Sequence, residues 1–286
     1  MDYYGSIEAG GTKFVCAVAD ESLTILERIS LPTTMPEETL ANVFAFFDKY
    51  QLKALGVGSF GPIDVNEASK TYGYITSTPK VSWKNFNLLG ALKERYNIPM
   101  AWTTDVNAAA YGEMKLGAGK HTQSCIYLTV GTGVGGGAVV NGQVLQGFSH
   151  PEMGHISLQR YPEDTLESAC PYHENCVEGL AAGPALEKRT GIKGQLLPET
   201  HEVWEMEAYY LAQAIMNYTL VLSPEKIILG GGVMKQAQLL PKIRASFAKQ
   251  LNNYVSLPDL EQYIVSCELK DNSGTLGCLL LAKAQA

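Results

Sequence analysis

The chain has 286 residues with 22 Lys and Arg against 29 Asp and Glu, a net charge of −7; the length predicts about two domains. The acidic balance, with a pI near 5.3, argues against a nucleic-acid protein, whose affinity rests on clustered cations meeting phosphates. A hydrophobic share of 46% against 18% charged residues fits a folded chain, no apolar run reaches the roughly 18 residues that span a bilayer, and no leader pattern opens the sequence, so a cytoplasmic enzyme acting on small molecules, without nucleic acid or membrane, is expected.

In chain order, apolar strands at Tyr4–Ala9, Phe14–Ala19 and Thr24–Ser30, joined by short turns, predict an antiparallel meander. Pro36 opens a helix whose Leu40, Val43, Phe44 and Phe47 recur at spacings of three and four. A buried strand follows at Ala54–Ser59, then a helix over Leu88–Tyr96, a strand at Met100–Thr104 and a helix over Ala108–Leu116, with Asp105 or Asn107 as its cap. The second half repeats this plan. Cys125–Val130 runs into Gly131-Thr132-Gly133-Val134-Gly135-Gly136-Gly137, then Ala138–Val140, an Asn141-Gly142 turn and Val144-Leu145. Helices are expected near Glu178–Arg189, Thr200–Leu222, Met234–Leu251 and Gly274–Ala286, with strands at Lys226–Leu229 and Tyr263–Ser266. Two halves of mixed sheet with helices on their faces would enclose a cleft. The boundary is expected near 117/118, giving an N-terminal domain over 1–117 and a C-terminal domain over 118–273. The last helix, about 274–286, is expected to pack back onto the first.

Several constellations carry chemistry. Both Gly10-Gly11-Thr12-Lys13 and Gly131-Thr132-Gly133 can bring backbone amides close to an anion; either could equally be a plain hairpin, and equivalent places in the two halves favour phosphate. Gly230-Gly231-Gly232, between strand and helix, reads as a ligand approach or as a tight turn. Asp105, at the carboxyl end of a strand, is a helix cap or a base for an attacking hydroxyl. Cys170 and Cys176 bracket His173, with His155 upstream, in a loop over about 150–178; two thiolates and two imidazoles suit a closed, structural tetrahedral zinc, the other reading being a disulfide or a free thiol pair. Glu152 and Glu178 flank that loop as hydroxyl acceptors or as plain surface acids.

Ile7–Lys13, Thr104–Glu113, Gly131–Gly137, and Glu152–His155 with Cys170, His173 and Cys176 together resemble the ROK family of sugar kinases, from first strand to last helix. Ile7–Phe14 and Cys170–Pro184 are most similar to its bacterial fructokinases. The resemblance implies a two-domain actin-like ATPase (ribonuclease H-like) α/β fold, with a mixed sheet in each half and a cleft between. It implies ATP-dependent phosphorylation of fructose at its 6-hydroxyl, with Mg2+, structural zinc and a homodimer; other hexoses, and a sugar-sensing regulator without catalysis, are the alternatives. By position, Asp105 would be the catalytic base, and Asn85, Glu152, His155 and Glu178 would meet the sugar. Gly10, Gly11, Thr12, Lys13, Gly131, Thr132 and Gly133 would hold phosphates, while Pro184 and Gly230, Gly231, Gly232, Val233, Met234 and Lys235 would border adenosine. Glu8 stands where most members have Asp, in the Mg2+ neighbourhood, and His173 replaces a more usual Cys among the zinc ligands His155, Cys170, His173 and Cys176. Val106 is a further departure with no functional account.

Overall fold

The structure, a computed structural model, describes residues 2–286. The chain folds into two compact units: the described residues through Leu116 with Val144–Pro151 and Asp271–Ala286 form one, and Gly117–Gln143 with Glu152–Lys270 the other.

In the first unit, β1 (Tyr3–Ala9), β2 (Lys13–Ala19) and β3 (Ile25–Pro32) form an antiparallel meander, followed by α1 (Pro36–Phe47) and β4 (Leu52–Ser59). A two-stranded ribbon of β5 (Tyr74–Ile75) and β6 (Phe86–Asn87) leads to α2 (Leu88–Arg95), β7 (Met100–Thr104) and α3 (Asp105–Leu116). The five-stranded sheet runs β3-β2-β1-β4-β7, with β4 parallel to both β1 and β7. Strands β2 and β4 are buried along nearly their whole length, the pattern of a sheet covered on both faces, whereas β3 at the edge alternates. Its core gathers Ile7, Phe14, Phe47, Leu55 and Trp83.

The second unit contains β8 (Cys125–Val130), β9 (Val134–Val140), the first residue of β10 (Gln143–Val144), α4 (Val177–Ala181), α5 (Gly183–Thr190) and α6 (Val203–Leu222). β11 (Lys226–Gly230), α7 (Leu239–Leu251), α8 (Leu260–Tyr263) and β12 (Ile264–Ser266) follow, and the sheet runs β10-β9-β8-β11-β12. Strand for strand this is the order of the first sheet, the duplicated arrangement of the actin-like ATPase fold. The last helix, α9 (Ser273–Gln285), belongs to the first unit, where it packs on α3, β1 and β4. Contact with α3 is close enough that a Cβ on Gly277 would stand 1.7 Å from the Ala108 carbonyl oxygen.

Three expected elements differ. The single helix near Glu178–Arg189 is two, α4 and α5, because Ala182 is extended (φ −75°, ψ 161°) ahead of Pro184, whose ring excludes a continuous helix. The helix expected from Met234 starts at Leu239, behind a short 3₁₀ turn at Val233–Lys235: Pro241 has no N–H and is accommodated only in a first turn. Leu145 lies outside β10, and the β5–β6 ribbon and α8, too short to show periodicity, were not expected.

Candidate active site

Parallel pairing aligns the carboxyl ends of β1, β4 and β7: Ala9 lies opposite Ser59, and Ser59 opposite Thr104. The chain leaves these ends through Gly10 and Asp105. Thr104 caps α3, its Oγ1 accepting from Asn107 N at 3.1 Å, so neither Asp105 nor Asn107 is the cap. A hydroxyl on the residue before the helix reaches the third amide, and Asp105 is already inside the first turn. Half-buried Asp105 accepts from Val106 N through Oδ1 at 2.9 Å.

Glu8, on β1 opposite Gly58, is raised to a pKa of about 7, first by burial and then by the neighbouring Asp105 charge. The Thr275 hydroxyl of α9, donating to its Oε2 at 3.3 Å, opposes that shift, as do Arg28 and Lys13. The adjoining turn is closed by Gly10 N donating to Lys13 O at 3.0 Å. Thr33 braces it through its hydroxyl on Gly10 O (2.7 Å) and its amide on Thr12 O (2.9 Å). Among the described residues the amides of Gly11 and Thr12 meet no protein acceptor, leaving two donors for an anion.

The second unit has a turn of the same design. Gly131 N donates to Gly133 O at 2.9 Å, Gly131 O accepts from Gly183 N at 2.7 Å, and among the described residues Thr132 N and Gly133 N meet no protein acceptor. Glu178, on α4, accepts from Val134 N through Oε2 at 3.1 Å and so braces this turn. A Cβ on Gly131 would stand 3.8 Å from Gly232 N, which sets the end of β11 beside the turn. Gly231 takes a φ of +93° there, leading into Val233–Lys235 with Gly232 and Lys235 exposed; Pro184 is exposed at the start of α5. Thus Gly131–Gly133, Gly183-Pro184 and Gly230–Lys235 form one neighbourhood of the second unit.

His155, Cys170, His173 and Cys176 also converge, all four ligand atoms lying within 4.8 Å of one another. The Cys170 sulfur is 3.8 Å from His155 Nδ1 and 3.7 Å from His173 Nδ1, close to the roughly 3.5 Å edge of a tetrahedron with metal–sulfur and metal–nitrogen bonds of about 2.3 and 2.0 Å. Gly179 N and Tyr172 N donate to the two sulfurs at 3.3 and 3.4 Å, and all six cysteines are free thiols. His155 leaves a turn, Met153–His155, that lies directly on β9: a Cβ on Gly154 would stand 1.7 Å from Val134 O, a contact only glycine permits. Arg160 holds the loop together, donating to Leu166 O (2.6 Å), Glu174 O (3.0 Å) and Asn175 Oδ1 (2.7 Å). Near it, burial and Glu178 raise the Glu152 pKa above the ordinary carboxylate value, while His155 lowers it.

The sequence model described as "ROK family" matches residues 4–285. The chain belongs to the ROK family. It is 52% identical over 280 residues to the fructokinase of Pediococcus pentosaceus, covering 98% of this chain and 97% of that protein. It is likewise 52% identical over 283 residues to the fructokinase of Lactococcus lactis subsp. cremoris, with the same coverage. Among solved structures it is similar to a ROK family glucokinase from Streptomyces griseus in complex with glucose and AMPPNP, with a TM-score of 0.77 and 25% identity over 99% of each chain.

In this ROK protein Asn85 is exposed, in left-handed backbone (φ +57°), with its amide donating to Thr76 O at 3.1 Å. Three supporting residues are not legible as such in the sequence: Thr33, Thr104 and Arg160. Thr104 carries a readable signal, a hydroxyl at a strand-to-helix junction; the other two act across chain distances that no local pattern records.

Proposed function

We propose that the protein is an ATP-dependent fructokinase, transferring the γ-phosphoryl group of ATP to the 6-hydroxyl of fructose. The observation that carries the reading is Asp105: relieved of capping by Thr104, charge-linked to half-buried Glu8, and separated by one strand, β4, from a turn with unpaired amides. The 52% identity to the two fructokinases, over nearly the whole chain, supports fructose as the acceptor.

Phosphoryl transfer asks the protein for positioning and charge stabilisation more than for covalent chemistry. Asp105 Oδ accepts the proton of the attacking hydroxyl. Amides of Gly11 and Thr12, with Lys13, and those of Thr132 and Gly133 donate to phosphate oxygens. Pro184 and Gly230 to Lys235 border the adenosine, and Asn85, Glu152, His155 and Glu178 bind sugar hydroxyls. Glu8 and Asp105 form an oxygen-only, acidic pair that fits a hard cation; Mg2+, when bound with the nucleotide, offsets phosphate charge. The set His155, Cys170, His173 and Cys176 fits zinc and leaves no open position, so its role is to hold the loop that carries His155. Among the described residues no helix is long and apolar enough to cross a membrane; a cytoplasmic location and a homodimer belong to the same reading.

Asp105→Asn is expected to fold with an unchanged melting curve and to lose turnover by about 10³-fold or more in an ADP-coupled assay with fructose. Near-normal turnover would remove Asp105 as the base. Comparing kcat/KM for fructose, mannose and glucose tests the acceptor, and a wild-type preference for either aldose overturns fructose.

A further inference from the structure

Lys80 is a half-buried cation held against the Gly10–Lys13 turn. Its backbone is fixed on both sides: Lys80 N donates to Thr78 Oγ1 at 3.2 Å, and Lys80 O accepts from Trp83 N at 2.8 Å. Trp83 is fully buried, its ring 5.2 Å from that of Phe14, the second residue of β2, and its Nε1 donates to Thr34 O at 2.8 Å. Thr34 directly follows Thr33, which holds the turn from the same side. Residues 33 and 34 therefore tie together the turn and the segment carrying Lys80.

From this anchored position the side chain extends to the turn. A Cβ on Gly11 would stand 3.9 Å from Lys80 Cε, in van der Waals contact, and the ammonium is one bond further on. Among the described residues that ammonium has neither a carboxylate nor a carbonyl partner. A surface lysine without a partner normally stays in solvent; this one lies beside two unpaired amides and Lys13. All of these groups are donors or cations, so the missing partner is an anion.

We propose that Lys80 contacts the transferred phosphoryl group and is a catalytic residue of the kinase reaction, an inference that rests on the fructokinase reading. In the step, the bond between the γ-phosphorus and the β–γ bridging oxygen breaks and a bond from that phosphorus to the sugar oxygen forms. The hydroxyl proton passes to Asp105, ADP leaves with the bridging oxygen, and Lys80 keeps its three protons. Charge on the phosphoryl oxygens and the leaving oxygen grows toward the transition state, so a cation placed there acts on kcat more than on fructose KM.

The test measures kcat, both KM values and the melting temperature for wild type, Lys80→Met and Lys80→Arg. We expect Lys80→Met to lose about 100-fold in kcat, with fructose KM within threefold and the melting temperature unchanged, and Lys80→Arg to recover at least tenfold of the loss. A kcat loss below tenfold, a change confined to fructose KM, or an arginine variant no better than methionine overturns the proposal. If Lys80→Met fails to fold, Lys80→Gln is judged by the same criteria. Wild type that does not turn over fructose with ATP sinks the fructokinase reading instead; the inference then stands or falls on whether Lys80→Met loses the thermal shift produced by ATP.

Discussion

Glu8 shows what one carboxyl costs when partly desolvated on a strand with a second carboxylate nearby. Its pKa of about 7 in the folded chain lies above the unfolded value of 4.5, so the native state retains a proton that the unfolded state has released. Stability is therefore fully present below about pH 4.5 and declines as pH rises to about 7, by roughly 3 kcal/mol in ligand-free and metal-free buffer. Glu8→Gln removes the titration: urea unfolding at pH 5 and pH 8 should show the wild type losing roughly 3 kcal/mol more than the variant, and parallel pH dependences would refute the burial argument. Asp105 was legible because an apolar strand ending in a carboxylate before an Ala-rich helix leaves it few places to go. Its freedom from capping was not, since Thr103, Thr104, Asp105 and Asn107 are all competent caps and only geometry selects among them. Lys80, in a loop with no periodicity, gave no signal at all.

Among the elements, the loop around Cys170–Cys176 has almost no regular structure of its own. It is held by four ligand side chains, by Arg160 at its centre and by Leu158 N donating to Asn175 O at 2.8 Å. A segment built this way draws its order from cross-links rather than from an apolar face, so removing the metal should release it. A strong zinc chelator is expected to extract about one zinc per chain by elemental analysis and to lower the melting temperature by several degrees; Cys176→Ser should be purified nearly metal-free. A protein that yields no metal and melts unchanged would return the four side chains to a coincidental cluster. The metal spacing was legible because ligand identity is written in side-chain type. Where helices start was less so: Pro184 and Pro241 each reset a helix that hydrophobic spacing would have carried through.

For the whole molecule, the two sheets share one strand order although the halves share little beyond a glycine turn after the first strand of each. The duplication was legible from the repeated succession of meander, helix and strand, whereas the strand order and Val144–Pro151 joining the first unit were not. The segment is pinned by His150 Nε2 accepting from Ile63 N at 3.0 Å, a contact between residues 87 apart in sequence. The same unit needs the far end of the chain. Leu279 and Ala282 of α9 complete an apolar cluster with Tyr4 and Ala54, and Thr275 supplies the hydrogen bond to Glu8. A chain ending at Lys270 should keep a protease-resistant, metal-binding second unit, while residues 2–116 are digested, as limited proteolysis with mass spectrometry would show; equal resistance of both would remove α9 from the first core. On the ribosome this inverts the usual sequence, in which the earlier domain folds first. The first unit waits, with one face of its sheet uncovered, until Asp271–Ala286 have left the exit tunnel, and in that interval it is the unit exposed to chaperones and proteases.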